Sequence, residues 1–507
     1  MKYPLPTLAG AVAVLALAAC SAPQPASSPA WFGLTAPTGL VAPTISPDAA
    51  TAAAIPKAVV PPGEVAFTEL EGARIKPDVE KVVGFAEQMR KAGNQMWGRI
   101  SGFPSEAATA DWVAGQLRAA GVQDVKVETY SASADFWWPK SWEARVLGDP
   151  AYGAGSKDVL LASAMPVSRS QISGTITAPV VFVGEAGSVS SDGVAGKIAV
   201  EHTRPATGAY SDRAKVRESS AALIKAGAIA VLNWVEQGGN MHVFDFGNCG
   251  GPCFNIGGED GRFLAEASAR AKAAGAPPLR MSLKLDAEMK SGLTARNVIG
   301  VIPGASSEII VVNAHLDSWY SGAGDNADGV AVLLALARHY GKPANRPART
   351  LVFVGSGGHH SPGMNGPGNL LPANADLLKK AVLVVNLEHL AQFEIQAVPT
   401  WQVHATEEPK NFGVSNMSPF LVSTVKAGVA RYGFVIKPEI TNSVPGDLGG
   451  YAPLNVARIQ GIHSGPLYHT SGDQPASIST AGLERAARFY RYVIDEAAKA
   501  PAAEINP

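Results

Sequence analysis

Residues 308–329 read EIIVVNAHLDSWYSGAGDNADG. A short β-branched run at 309–312 predicts a buried strand, and the chain then empties into a Gly-rich loop carrying His315, Asp317 and Asp325. Open α/β sheets place their ligands at the carboxyl ends of such strands, so this loop predicts both the fold class and the position of the site.

Three further apolar runs follow, at 351–354, 382–385 and 456–462, each with helical sequence before the next. In the stretch 327–340, Val330, Leu333, Leu334 and Ala337 fall on one helical face. Apolar strands alternating with helices predict an α/β fold with a doubly covered, mostly parallel sheet. Upstream, 77–96 and 105–120 read as helices and 125–130 as a strand, and a closing helix is expected over 480–498.

Chemistry-bearing side chains collect after these strands. Eight of the ten histidines lie between His315 and His469. His359 and His360 follow the second run, Glu388 and His389 the third, and His469 the fourth. Parallel strands bring all four loops to one edge of the sheet. A mixture of imidazole and carboxylate donors suits zinc or a similar divalent ion better than calcium or magnesium.

Composition bounds the alternatives. The 507-residue chain exceeds one core and predicts several domains. Its net charge of −1, with no basic block, argues against nucleic acid as a partner. No apolar run in the body of the chain is long enough to span a membrane.

Residues 1–20 have the anatomy of a secretory signal, and the ending Leu17-Ala18-Ala19-Cys20 resembles a bacterial lipoprotein signal that would lipidate Cys20. An exported protein of the cell envelope follows, lipid-anchored to a membrane and facing the periplasm or the outside. Residues 21–64, rich in Ala, Pro, Ser and Thr, predict a flexible tether. In that oxidising setting Cys249 and Cys253, around a Gly-Gly-Pro turn, read as a small-loop disulfide, with two free thiols as the other reading.

The segment 166–286 has its own strand and helix pattern and resembles a protease-associated domain, inserted between peptidase parts at 65–165 and 287–500. More specific is the sequence His315-Leu316-Asp317-Ser318 with Gly322-Ala323-Gly324-Asp325-Asn326-Ala327-Asp328-Gly329, together with Asn386-Leu387-Glu388 and Tyr468-His469-Thr470. These segments resemble the di-zinc exopeptidases that include bacterial leucyl aminopeptidases and glutamate carboxypeptidase. The resemblance implies peptide hydrolysis by a metal-activated water, of aminopeptidase or carboxypeptidase type, on peptide substrates. It implies His315 and Glu388 on one zinc, His469 on the other, and Asp325 bridging. It further implies Asp317 orienting His315 through its carboxylate, and Tyr468 facing the substrate.

The chain departs from that family at Gly358-His359-His360-Ser361, where two adjacent glutamates are expected. His360 can still bind metal through nitrogen and His359 can serve as the base, but one negative charge is lost. Either two ions or one would then be held. At Asp447-Leu448-Gly449 an expected Asp-His pair is also absent. These departures keep two other readings open: a non-catalytic binding protein on the peptidase fold, and a one-metal acyltransferase resembling glutaminyl cyclases, which usually lack the insert.

Overall fold

The protein is described by a computed structural model covering residues 1, 28–205, 212–244, 249–398 and 400–507. Its organising element is an eight-stranded mixed sheet. In chain order the strands are β1 (Gln123–Ser131), β2 (Thr294–Ile302), β3 (Ser306–His315), β4 (Arg349–Ser356), β5 (Ala381–Asn386), β6 (Lys410–Val414), β7 (Ile436–Thr441) and β8 (Ala457–Ile462). They lie in the spatial order β7-β6-β8-β5-β3-β4-β2-β1. The central four, β8-β5-β3-β4, are mutually parallel, and antiparallel pairings of β6 with β8 and of β4 with β2 set the flanks.

Strand periodicity explains why the sheet is covered twice. Ile310, Val312 and Ala314 of β3 enter a core shared with helices α1 (Gly72–Lys91), α2 (Pro104–Ala119), α3 (Asp328–Tyr340) and α4 (Thr480–Lys499). Their alternates Ile309 and Val311 enter a second core with Leu370, Leu378, Leu448 and Tyr451. Each such Val or Ile withdrawn from water contributes about 1.5–3 kcal/mol. Because both faces are apolar, function is confined to the strand ends.

Register aligns those ends. His315 pairs with Ser356, Asn313 with Asn386, and Asn386 with Gln460. Asn313 Nδ2 donates to Asn386 Oδ1 at 2.7 Å, and Asn386 Nδ2 donates to Gln460 Oε1 at 2.9 Å. This amide row closes the apolar interior and begins the polar edge.

Three features go beyond the sequence expectation. The second eight-stranded sheet extends over 136–290, a span that contains the segment 166–286. Phe136–Val146 pairs with Arg280–Lys290 along most of its length, a contact between distant segments that local periodicity does not reveal. Residues 28–64, expected as tether, pack on the body instead. Trp31 is buried, stacks on Tyr152 and donates Nε1–H to the Lys157 carbonyl at 3.1 Å, and Glu64 lies buried 2.8 Å from Arg491. Two apolar or charged anchors outweigh the disorder-prone composition between them. Strands β6 and β7 are short and partly polar, and lay outside the four apolar runs. The signal segment and Cys20 lie outside the described residues. Among the described residues no helix is long and apolar enough to cross a membrane.

Candidate metal centre

Each predicted donor sits just past a parallel strand. His315 is the last residue of β3; His359 and His360 follow β4, Glu388 and His389 follow β5, and His469 lies on the loop after β8. The loops are fixed from outside. Buried Arg99 donates to the carbonyls of Leu316 (2.8 Å), Ser321 (2.8 Å) and Gly322 (3.1 Å), holding the turn between His315 and Asp325. Gly322 there has φ 54°, and a Cβ would lie 2.4 Å from that of Ser318. Asp473 accepts the backbone N–H groups of Gly324 at 2.8 Å and Asp325 at 3.1 Å.

Asp325 organises two donor sets, one for each carboxylate oxygen. Its Oδ2 is 3.1 Å from His360 Nε2 and 3.2 Å from His469 Nε2. Its Oδ1 is 3.1 Å from His315 Nε2 and 3.2 Å from His389 Nε2. Glu388 Oε1 joins this second set, 3.8 Å from each of the same two nitrogens, while its Oε2 accepts from Asn386 Nδ2 at 2.8 Å.

Donor atoms bonded to one tetrahedral zinc at its usual bond lengths stand about 3.3–3.5 Å apart, close to these separations. The residues therefore fit divalent cations, and an independent observation agrees. Both oxygens of Asp325, Glu388 Oε1, and the Nε2 atoms of His315, His360 and His389 are buried without a hydrogen-bond partner. So many unpartnered donors facing one another are costly unless positive charge lies among them.

The protonation tendencies show the same demand. Burial alone would raise the Asp325 carboxyl, but His360, His315 and His389 hold it well below its ordinary range. Burial pushes His360 down to about 4 despite Asp325. His389 is raised to about 9, the carboxylates of Asp325 and Glu388 overcoming burial. A cation among these groups would take over the role of those protons.

Asp317 acts on the histidines differently from expectation, and Asp447 acts on one of them. His315 Nδ1 meets the backbone carbonyl of Asp317 at 3.0 Å, whereas the Asp317 carboxylate is 3.7 Å away. That carboxylate instead accepts the backbone N–H groups of His359 (3.2 Å) and His360 (2.8 Å) and so fixes the substituted loop. Gly358, φ 82°, makes the turn into it, where a Cβ would press within 2.6 Å of Met364 and the Tyr130 hydroxyl. His359 stacks on His315 at 4.3 Å, and its Nδ1 lies 2.9 Å from Asp447 Oδ1. Burial would lower this imidazole, but Asp447 and then Glu388 raise it well above its ordinary value. Its Nε2 faces the centre, 3.7 Å from Glu388 Oε1.

Tyr468 is half-buried, stacked on His469 at 3.8 Å and edge-on to His389 at 5.2 Å. The segment that follows the strand Ala230–Val235 of the second sheet reaches the centre here. Phe244 N–H donates to the His469 carbonyl at 3.0 Å, and Phe244 packs on Trp319 at 4.4 Å. Cys249 and Cys253 form a disulfide in the same sheet's loop region. Sequence reading gave no role to Arg99 or Asp473 and left Asp447 undecided. Their signal is only that charged residues fall in otherwise apolar or turn-rich stretches.

Residues 297–494 match the family model described as Peptidase family M28. The chain is similar to the glutamate carboxypeptidase 2 homolog of Caenorhabditis briggsae, 30% identical over 222 residues that cover 39% of this chain and 28% of that protein. The chain thus spans under a third of that curated relative's length. In structure it is similar to the Peptidase M28 precursor of Shewanella amazonensis SB2B, with TM-score 0.61 and 16% identity over 85% of this chain and 96% of that one. It is also similar to a zinc aminopeptidase from Bacillus subtilis, with TM-score 0.55 and 21% identity over 84% of this chain and 97% of that one. At these identities the structural likeness shows the fold.

Proposed function

Because residues 297–494 match the model of Peptidase family M28, we propose that this protein is a zinc-dependent exopeptidase that hydrolyses short peptides. The observation that carries the reading is Asp325, whose two oxygens face two separate imidazole-containing donor sets. His315, Glu388 and Asp325 would hold one ion and His360, His469 and Asp325 the other. Bound there, zinc lowers the pKa of a water and polarises the scissile carbonyl.

The chain's own residues supply the rest. His359 donates Nδ1–H to Asp447, which leaves the Nε2 lone pair facing the donor sets. Nε2 takes a proton from the attacking water as its oxygen bonds to the carbonyl carbon. It returns that proton to the amine as the C–N bond breaks, so the imidazole ends neutral. Tyr468, half-buried beside His469, borders the space for the substrate. Specificity for the amino or the carboxyl end of a peptide would be set around it.

Two observations support export. Residues 1–20 resemble a lipoprotein-type signal in which Cys20 would be the acceptor, and the Cys249–Cys253 disulfide suits an oxidising compartment. In this reading the second sheet is a protease-associated domain that shapes access to the centre, and the enzyme is tethered to an envelope membrane.

The test combines elemental analysis of protein purified without chelators with hydrolysis of a mixed peptide library. About two zinc ions per chain and removal of terminal residues, abolished by chelator, is the expected result. Protein without metal and without cleavage would overturn the reading in favour of a binding protein on the same fold.

A further inference from the structure

We propose that His389 is a protein ligand of the cation on the His315 side. That ion would then have four protein donors, His315, His389, Asp325 and Glu388, while its neighbour has three. The inference rests on the two-cation reading above and assigns a residue that neither the sequence motifs nor the Glu388 position required.

Geometry treats His389 and His315 alike. Their Nε2 atoms lie 3.2 and 3.1 Å from the same oxygen of Asp325, and each lies 3.8 Å from Glu388 Oε1. Both side chains are almost completely buried, and both Nε2 atoms lack a hydrogen-bond partner.

Each ring is also fixed at its other nitrogen by a backbone carbonyl, Asp317 for His315 and His463 for His389. A carbonyl only accepts, so Nδ1 carries a proton, and Nε2 faces two carboxylate oxygens through either a second proton or a lone pair that a cation can take. Lone pair against carboxylate is repulsive without a positive charge between them. An Nδ1–H given to a carbonyl is how metal-bound histidines are usually oriented.

The loop commits the ring to this direction. His389 has φ 53°, and the next two backbone N–H groups, of Leu390 and Ala391, both donate to Asp328 Oδ2 at 2.8 Å. Asp328 begins α3, so the helix that follows Asp325 also fixes the loop bearing His389. The rings of Tyr468 and His463 pack against the imidazole at 5.2 and 5.0 Å.

The consequence is an asymmetric, nitrogen-rich centre. Four protein donors saturate a tetrahedral ion, whereas three leave a position for substrate or water. Histidine at 360 costs the centre a negative charge, and His389 adds a donor on the opposite side without restoring the charge. Imidazole-rich sets favour zinc and cobalt over magnesium and manganese.

Cobalt(II) titration of the chelator-stripped full chain tests this, read by the visible absorption of tetrahedral cobalt and by bound-metal analysis. His389→Asn is the informative variant because Asn tolerates positive φ. Wild type should take two ions. The variant should keep one at wild-type affinity and lose at least about 10-fold in affinity for the other, with weakened tetrahedral absorption. His389→Asp, which suits the same backbone and returns a donor, should recover the second ion. Unchanged affinities and spectrum in His389→Asn would overturn the assignment while leaving the two-cation reading intact. A wild-type protein that takes no cobalt would overturn that reading itself.

Discussion

His359 and Asp447, 88 residues apart, are joined by a 2.9 Å contact between Nδ1 and Oδ1 in the buried floor of the site. Asp447 is itself held by Ser356 Oγ at 2.6 Å and Asn313 Nδ2 at 3.2 Å, both donating to Oδ2. The carboxylate thereby selects the tautomer in which Nε2 is free to accept a proton. The departure from paired glutamates at 359–360 is matched by a second group that makes imidazole usable as a base.

Asp447→Asn should lower kcat by about 10²–10⁴-fold with bound metal unchanged, since a positioned base contributes on that order. An amide can donate to Nδ1 and favour the wrong tautomer. The pH dependence has a definite sign. His359 works when neutral, and Asp447 stabilises its protonated form, so the substitution should move the acid limb of the kcat/KM profile to lower pH. A profile and rate like those of wild type would mean the base lies elsewhere.

Replacing the two histidines by glutamate should give opposite results at the two positions. His360→Glu puts a carboxylate beside Asp325 Oδ2, where the imidazole now stands at 3.1 Å, and should tighten the second cation by about 10-fold through added charge. His359→Glu would set its carboxylate against Asp447 in a buried site, where like charges cannot both ionise. Activity should fall, and competition with a chelating dye together with peptide hydrolysis reads both effects. A gain in rate from His359→Glu alone would contradict the pairing with Asp447.

Asp325 should be the residue on which both ions depend. Asp325→Ala removes the one side chain shared by the two donor sets and should leave metal content near zero, whereas Glu388→Ala should spare the ion held by His360 and His469. Because cations bind the folded state selectively, stripping them from wild type should cost about 2.7 kcal/mol for each ion present at 100 times its Kd. Denaturant unfolding with and without chelator measures it. Equal stability in both states would mean that the buried donors need no cation.

What the sequence revealed follows from how each residue earns its position. His315, His360, Glu388 and His469 follow apolar runs directly, so strand periodicity alone places them on one edge. Asp447 does not follow an apolar run, and its role depends on a 3-10 turn that brings its carboxylate to Asn313 of β3 and Ser356 of β4. Arg99 acts through three carbonyls more than 200 residues away, a relation with no local pattern. His389 was visible as a residue, but its direction is set by a left-handed backbone angle and by Asp328. The packing of residues 28–64 was hidden for a related reason. Trp31 and Glu64 are single anchors whose partners, Tyr152 and Arg491, are distant in sequence.

Lys410 supplies a stability prediction away from the chemistry. Its side chain is fully buried at the start of β6, its Nζ has no hydrogen-bond partner, and the Phe434 ring lies 5.1 Å away. Burial lowers its ammonium to about 8, although Glu407, Asp328 and Glu408 oppose the shift. At neutral pH the group is charged at a cost of roughly 3 kcal/mol, an upper bound on what removing it can return. Glu407 is separately satisfied by Arg485, bound at 2.7 Å through both oxygens, so losing the lysine does not strand that carboxylate. Lys410→Met, similar in volume, should therefore be about 1–3 kcal/mol more stable than wild type at pH 7. Between pH 8 and the ordinary lysine value of 10.5 the unfolded chain holds this proton and the folded chain does not. Wild-type stability should then rise with pH relative to the variant, and the gap should close. Urea unfolding of both proteins at pH 7, 9 and 10.5 measures it. A gap that stays constant across that window would show that Lys410 keeps its proton in the fold throughout, its ammonium paired more strongly than its surroundings indicate.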